Sequence, residues 1–321
     1  MPPPVRPRRA TLAALGAGAL SAASAVAPRA GVAAGPSAAS GAPAAPRGAP
    51  PTPDAAPAPG ARPPPRERRG LAYAIASRRD ADALSSGVAW WYNWSPFPGE
   101  AMADERRMAF VPMLWNGEFD ASRVETFLRA TPSIRHVLVL NEPNLVDQAN
   151  HPPSRAAAIW PRYEAIAART GVAIVGPAIT WGTLPGWEDP VAWMDAFIGA
   201  YRAANGGRAP RIDALAFHWY DYGLDAQLDR LAKYRKPFWV TEMANWHAGD
   251  GPRILSPDAQ RAQMTDMVAT CERRADVHRY AWFTGRWSPD PHHTSVLAGD
   301  GELTALGRHY LALPRTARRA G

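Results

Sequence analysis

From residue 70 onward, short runs of apolar residues alternate with longer stretches in which apolar positions recur every three or four residues. The runs cover 70–75, 87–94, 110–115, 136–141, 172–178, 214–220, 238–243 and 279–284. Most are apolar at consecutive positions, as in Val137-Leu138-Val139-Leu140, which is the pattern of strands covered on both faces. Helices are predicted over 122–130, 154–169, 190–205, 224–234, 257–274 and 303–313, with short ones at 80–84 and 103–108. Asp189-Pro190 and Ser256-Pro257 place a cap residue before a first-turn proline, and Gly171 and Gly206-Gly207 mark helix ends. Eight strand-helix units in succession predict a parallel sheet closed into a single (β/α)8 TIM barrel of the α/β class. Residues 294–298 are read as an extended piece outside the barrel.

Composition changes the picture only at the amino-terminal end. Residues 1–69 hold 16 of the 34 prolines and none of the 13 tryptophans, and a segment so poor in large apolar residues cannot bury a core. Arg8-Arg9 precede an Ala/Leu/Gly run that extends to about Ala27. This order of charge, apolar run and small residues reads as an export signal over 1–30, similar to the twin-arginine type, with cleavage expected after Ala27 or Ala30. Biased composition alone is the other reading of this head. An Ala/Pro-rich disordered linker is expected over 31–67, and the catalytic domain over 68–321. The run is too short and too rich in Gly and Ala for stable membrane insertion, so a secreted or cell-surface location is expected.

Residues 1–69 also hold nine of the 36 Lys and Arg but only two of the 29 Asp and Glu, so the two signs balance in the remainder. That argues against a nucleic-acid partner and for an uncharged substrate. Cys271 is the single cysteine, which excludes an internal disulfide, and it reads as a buried packing residue. No zinc or iron-sulfur spacing occurs, and His292-His293 lack a partner set, so no metal or cofactor is expected.

The candidate chemistry is a pair of glutamates. Glu142, in Val-Leu-Asn-Glu-Pro-Asn, follows the fourth predicted strand, and Glu242, in Trp-Val-Thr-Glu-Met-Ala, ends the seventh. Catalytic groups of such barrels gather at the carboxyl ends of the strands. Two carboxylates there suit glycosidic bond cleavage, Glu142 as acid/base and Glu242 as nucleophile, with carboxyls roughly 5 to 5.5 Å apart for retention. Asn141 is placed to donate a hydrogen bond to a sugar 2-hydroxyl. His218 and Tyr220 share one face of the sixth strand and are placed to orient Glu242, whereas Trp219 points the other way. Trp94, Trp115, Trp181, Trp246, Trp282 and Trp287 fall at or beyond strand ends, where rings stack on sugar faces, and Asn93, Asn116 and Asn245 offer amides to hydroxyls. Each tryptophan taken alone fits core packing as well. Trp160, Trp193, Trp90, Trp91 and Trp239 read as packing.

An Asn-Glu pair on strand four and a Glu on strand seven resemble glycoside hydrolase clan A. Gly70-Leu71-Ala72-Tyr73, Gly87-Val88-Ala89-Trp90-Trp91-Tyr92-Asn93-Trp94, Leu140-Asn141-Glu142-Pro143-Asn144, Phe217-His218-Trp219-Tyr220 and Val240-Thr241-Glu242-Met243-Ala244 are similar to family 128 of that clan. Met243 stands where the family more often has an aromatic residue. The resemblance implies a secreted hydrolase of β-1,3-glucan, endo- or exo-acting, needing no cofactor and working as a monomer. A barrel that binds carbohydrate at a cell surface without cleaving it, and a clan A hydrolase of another polysaccharide, are the alternatives.

Overall fold

The computed structural model describes residues 62–315 except Ala248 and Asp250. The expected signal at 1–30 and most of the expected linker lie outside the described residues. A 3-10 turn at Pro65–Glu67 leads into the first strand. The strands are β1 (Arg69–Ala72), β2 (Trp90–Tyr92), β3 (Ala109–Phe110), β4 (Met113–Leu114), β5 (His136–Val139), β6 (Ala173–Ile179), β7 (Ala214–Trp219), β8 (Phe238–Met243) and β9 (Val277–Trp282). The helices are α1 (Arg78–Leu84), α2 (Ala121–Ala130), α3 (Pro153–Thr170), α4 (Pro190–Ala204), α5 (Leu224–Leu231), α6 (Pro257–Arg273) and α7 (Ala305–Ala312).

All strand pairs are parallel, and the sheet order is β3-β2-β1-β9-β8-β7-β6-β5-β4. The two ends of that order are halves of one predicted strand. Val111 donates to Trp91 O (3.0 Å) and Met113 to Ser95 O (3.0 Å), whereas Pro112 O accepts from Leu138 N–H (2.9 Å). One continuous segment therefore bonds β2 on one side and β5 on the other, and the ring is closed as an eight-unit barrel. Pro112 has no N–H to give, which is why the ladder breaks there.

Side chains alternate along each strand. Leu215, Phe217, Val137 and Val139 belong to the large core between sheet and helices, while Ala214, Ala216 and Leu138 point into the lumen. The lumen is filled by Trp90 and Trp239 (ring centroids 5.3 Å apart) together with small residues such as Ala72, Ala178 and Ala281, the large-and-small filling that a closed barrel permits.

The predicted caps form as expected: Asp189 accepts from Val191 N–H (2.7 Å), Ser256 accepts from Ala259 N–H (3.2 Å), and Gly171 ends α3 at φ 78°. The helix expected at 103–108 does not form. A 3-10 turn occupies Glu100–Met102 instead, and the Glu105 carboxylate bonds the backbone N–H (2.6 Å) and guanidinium of Arg107, a local bond that competes with helix.

Candidate active site

Two irregularities deliver the glutamates to one point. On β8, strict alternation would send Glu242 to the helix side, because Trp239 points into the lumen and Val240 away from it. The pairing register slips here: Phe217 pairs with Val240 but His218 with Glu242. The extra residue, Thr241, turns Glu242 inward, as a bulge does beside many active sites. On the β5 side, Leu140 (φ 60°) and Glu142 (φ 41°) adopt left-handed backbone, and Glu142 N–H donates to Ala178 O (2.8 Å). Such conformations are costly for residues other than glycine and concentrate at functional sites.

Both carboxylates are buried. His218 lies between them, with Nδ1 3.0 Å from Glu142 Oε1 and 3.4 Å from Glu242 Oε2. The donor atoms of Glu142, His218 and Glu242 all lie within 4.8 Å of one another. His218 Nε2 is 2.9 Å from Thr241 Oγ1, which fixes the ring. Glu242 receives three further bonds: Tyr92 Oη (2.7 Å) and Trp94 Nε1 (2.9 Å) donate to Oε1, and Tyr220 Oη donates to Oε2. Burial, reinforced by the negative charge of Glu242, pushes both phenols well above the ordinary tyrosine range. They stay protonated and remain donors. The trio is also the one group among the described residues whose donor atoms are close enough to hold a metal ion; the ring of neutral O–H and N–H groups around Glu242 is the setting of a carboxylate held without one.

Around this centre stands an aromatic wall. Tyr220 stacks on Trp246 (centroids 3.9 Å apart), Trp246 stacks on His292 (5.0 Å), and Trp287 and Phe283 close against Trp246 at 5.7 and 5.6 Å. Trp94 meets Tyr92 and Phe283 edge-on, and half-buried Trp115 packs with them on the lumen cluster. Trp181 is held apart from this wall: its indole donates to Gln227 Oε1 (2.9 Å), and Arg230 covers its ring at 4.9 Å.

Two expected contacts, those of Trp282 and Asn245, are corrected by full burial, and the other residues are placed as follows. Trp282 is fully buried on the helix side, with its indole donating to Thr294 O (2.9 Å) and its ring beside Tyr310. It pairs with Met243, the residue after the bulge, and follows that residue's outward direction. The Asn93 amide bonds Phe97 O (2.9 Å) and Ser95 N–H (3.1 Å), and the Asn116 oxygen bonds Glu118 N–H (2.8 Å). Both shape their own loops, as Asn does in turns. Asn245 is buried between Gln263 and His247 N–H. Asn141 gives its amide to Gln148 Oε1 (3.1 Å), while its Oδ1 is buried without a hydrogen-bond partner in the residue before Glu142. Trp219 bonds Tyr222 O (2.9 Å), away from the site as alternation requires. Met243 and Cys271 touch, sulfur to sulfur, at 3.9 Å in the core, and burial pushes the Cys271 thiol up.

Tyr92, Thr241 and Phe283 are site residues that sequence reasoning did not single out, and His292, weighed there only as a metal ligand, stands in the aromatic wall. Tyr92 was within reach, since it shares a strand face with Trp90 and Trp94.

Two buried carboxyls this close, at the carboxyl ends of barrel strands, are the arrangement of a glycoside hydrolase. The family described as glycosyl hydrolase catalytic core matches residues 70–310. The structure is similar to a GH128 subgroup II endo-β-1,3-glucanase from Pseudomonas viridiflava, with 56% identity, 78% of this chain and 98% of that one covered, and a TM-score of 0.76. It is also similar to a subgroup II endo-β-1,3-glucanase from Sorangium cellulosum (34% identity, 78% and 100% covered, TM-score 0.66). A subgroup I endo-β-1,3-glucanase from Amycolatopsis mediterranei in complex with laminaritriose matches at 27% identity, 77% and 99% coverage and a TM-score of 0.61. No curated protein sequence matches the chain. The chain belongs to glycoside hydrolase family 128.

Proposed function

We propose that this protein is a retaining endo-β-1,3-glucanase. The observation that carries the reading is the convergence of Glu142 and Glu242 within 4.8 Å, with His218 between them. Glu142 protonates the glycosidic oxygen while Glu242 attacks the anomeric carbon, and a covalent glycosyl-enzyme forms. Glu142, now ionised, takes a proton from water, whose oxygen releases the sugar with its configuration retained. The three donors on Glu242 hold its carboxylate aimed until it attacks. The orphan Oδ1 of Asn141 accepts from a hydroxyl of the sugar at the reacting centre. The aromatic wall of Tyr220, Trp246, Trp287 and His292 supplies stacking faces.

The linkage and the endo mode are supported by the relatives: both subgroup II proteins are endo-β-1,3-glucanases and are more similar to this chain than a subgroup III exo-β-1,3-glucanase at 27% identity. One chain supplies every donor to Glu242, which fits action as a monomer. The Arg8-Arg9 head and the Pro-rich segment behind it fit an enzyme exported to meet an extracellular polymer; no helix among the described residues is long and apolar enough to cross a membrane.

The test is product release from linear β-1,3-glucan, mannan and xylan by the full chain. A fall in β-1,3-glucan viscosity ahead of reducing-end release, with β-configured product appearing first by proton NMR, is the expected result. Glucan binding with no cleavage would replace this reading with that of a carbohydrate-binding protein.

A further inference from the structure

One buried side chain outside the chemistry above holds the turn that carries Glu142. Asn144 is fully buried. Its amide nitrogen donates to Thr180 O (2.6 Å) and reaches Trp187 O (3.4 Å), and its backbone carbonyl accepts from the N–H groups of Thr183 (3.0 Å) and Leu184 (2.9 Å). Thr183 Oγ1 accepts from Val146 N–H (3.2 Å). Gly182 fits into this contact because it has no side chain: a Cβ there would lie 2.0 Å from Asn144 O and 2.6 Å from Nδ2. The turn after β5 and the loop after β6 are thus fastened to each other on both sides of the Asn144 peptide.

What the fastening holds is the left-handed stretch at Leu140 and Glu142. A strained conformation persists only where its surroundings over-determine it. The bonds within the turn, Leu145 N–H to Glu142 O (3.1 Å) and His151 N–H to Pro143 O (2.8 Å), fix its shape but not its aim. The aim is set from outside, by Ala178 O on the Glu142 N–H and by the Asn144 contacts.

We propose that Asn144 is a positioning residue for proton transfer: by tying the Glu142 turn to the loop after β6, it holds the acid/base carboxyl on the leaving oxygen without touching substrate. The proposal rests on Glu142 being the acid/base.

The test compares two substrates in the full chain. Laminarihexaose has a leaving group that must be protonated, while the phenolate of 2,4-dinitrophenyl β-laminaribioside leaves unaided. kcat/KM reports the first chemical step for both. Asn144→Ala is expected to lose on the order of 10²-fold in kcat/KM on laminarihexaose, as for a displacement of about 1 Å, and less than about threefold on the dinitrophenyl substrate, where the acid has little to contribute. Azide should raise its kcat on the dinitrophenyl substrate by supplying a nucleophile that needs no base. A parallel loss on both substrates in a variant that melts as a folded protein, or no loss on laminarihexaose, overturns the proposal. Should Asn144→Ala not fold, Asn144→Asp keeps the size of the side chain and loses the Nδ2 donor to Thr180 O, and an unchanged ratio between the two substrates in that variant overturns it. Glu142→Gln serves as the reference: if it shows no difference between substrates, the acid/base assignment fails first and the proposal falls with it.

Discussion

The two ends of the barrel lumen are built from similar residue types to opposite ends. At the carboxyl end of the strands, His218 sits between two carboxylates and nearly every polar atom has a partner. At the amino end, His136 packs on Trp239 (4.8 Å), Arg279 lies over Trp239 (4.7 Å) and Trp90 (5.9 Å), and Arg279 Nε is buried without a hydrogen-bond partner. Burial, with the charge of Arg279 nearby, lowers the His136 pKa to about 3, and burial lowers that of Arg279 to about 10. The lesson is that a histidine in this lumen becomes part of the chemistry where carboxylates face it and inert filling where rings and a cation do. The amino end is a plug, and the carboxyl end is a site.

Substitutions sharpen this contrast in descending order of effect. Glu242→Gln removes the nucleophile, and kcat on β-1,3-glucan should fall by about 10⁴-fold or more in a reducing-sugar assay. Next comes Glu142→Gln, with a fall of roughly 10² to 10⁴-fold on glucan and loss of the alkaline limb of the pH–rate profile. Trp94→Phe keeps the ring but deletes one donor to Glu242. It should cost about tenfold in kcat/KM in a reducing-sugar assay on β-1,3-glucan, because one of the bonds that aim the carboxylate is gone. A variant that loses glucan affinity with kcat unchanged would make Trp94 a sugar platform only.

His136→Leu, at the other end, should leave kcat unchanged. Its effect belongs to stability. In the folded protein His136 stays neutral down to about pH 3, while the unfolded chain takes up its proton from about pH 6.5 downward. The wild-type contribution is thus present above about pH 6.5 and lost as pH falls toward 3. The variant should lose stability less steeply in that window, by about one proton in the slope of unfolding free energy against pH. Altered glucan turnover in His136→Leu would mean that the two ends are coupled.

The fold was legible in the sequence because its strands are covered on both faces and its helices carry their caps; eight runs and two Pro-marked helix starts suffice. The pair Glu142 and Glu242 was legible for the same reason, since each follows a buried run. What was hidden lies in single-residue departures from period two. Nothing in Trp-Val-Thr-Glu-Met announces that Thr241 is an extra residue, so the inward turn of Glu242 was invisible, whereas the outward direction of Trp282 follows from plain alternation with the lumen-facing Arg279 and Ala281. The break at Pro112 splits a run that reads as one strand. Asn93 turned its amide and Asn116 its side-chain oxygen to their own loops, a choice that depends on backbone geometry and not on composition.

The ring of donors around Glu242 has a bearing on working conditions. Among the described residues no Lys or Arg pairs with this carboxylate; its partners are an indole and two phenols, with His218 alongside. Dissolved ions weaken attraction between separated charges over a Debye length of about 8 Å at 0.15 M, but they act little on short dipolar bonds in a buried site. The nucleophile is therefore held by forces that brine does not screen, and a polymer without charge adds no ionic attraction to be lost. Such a centre keeps its aim across a wide range of salt concentration.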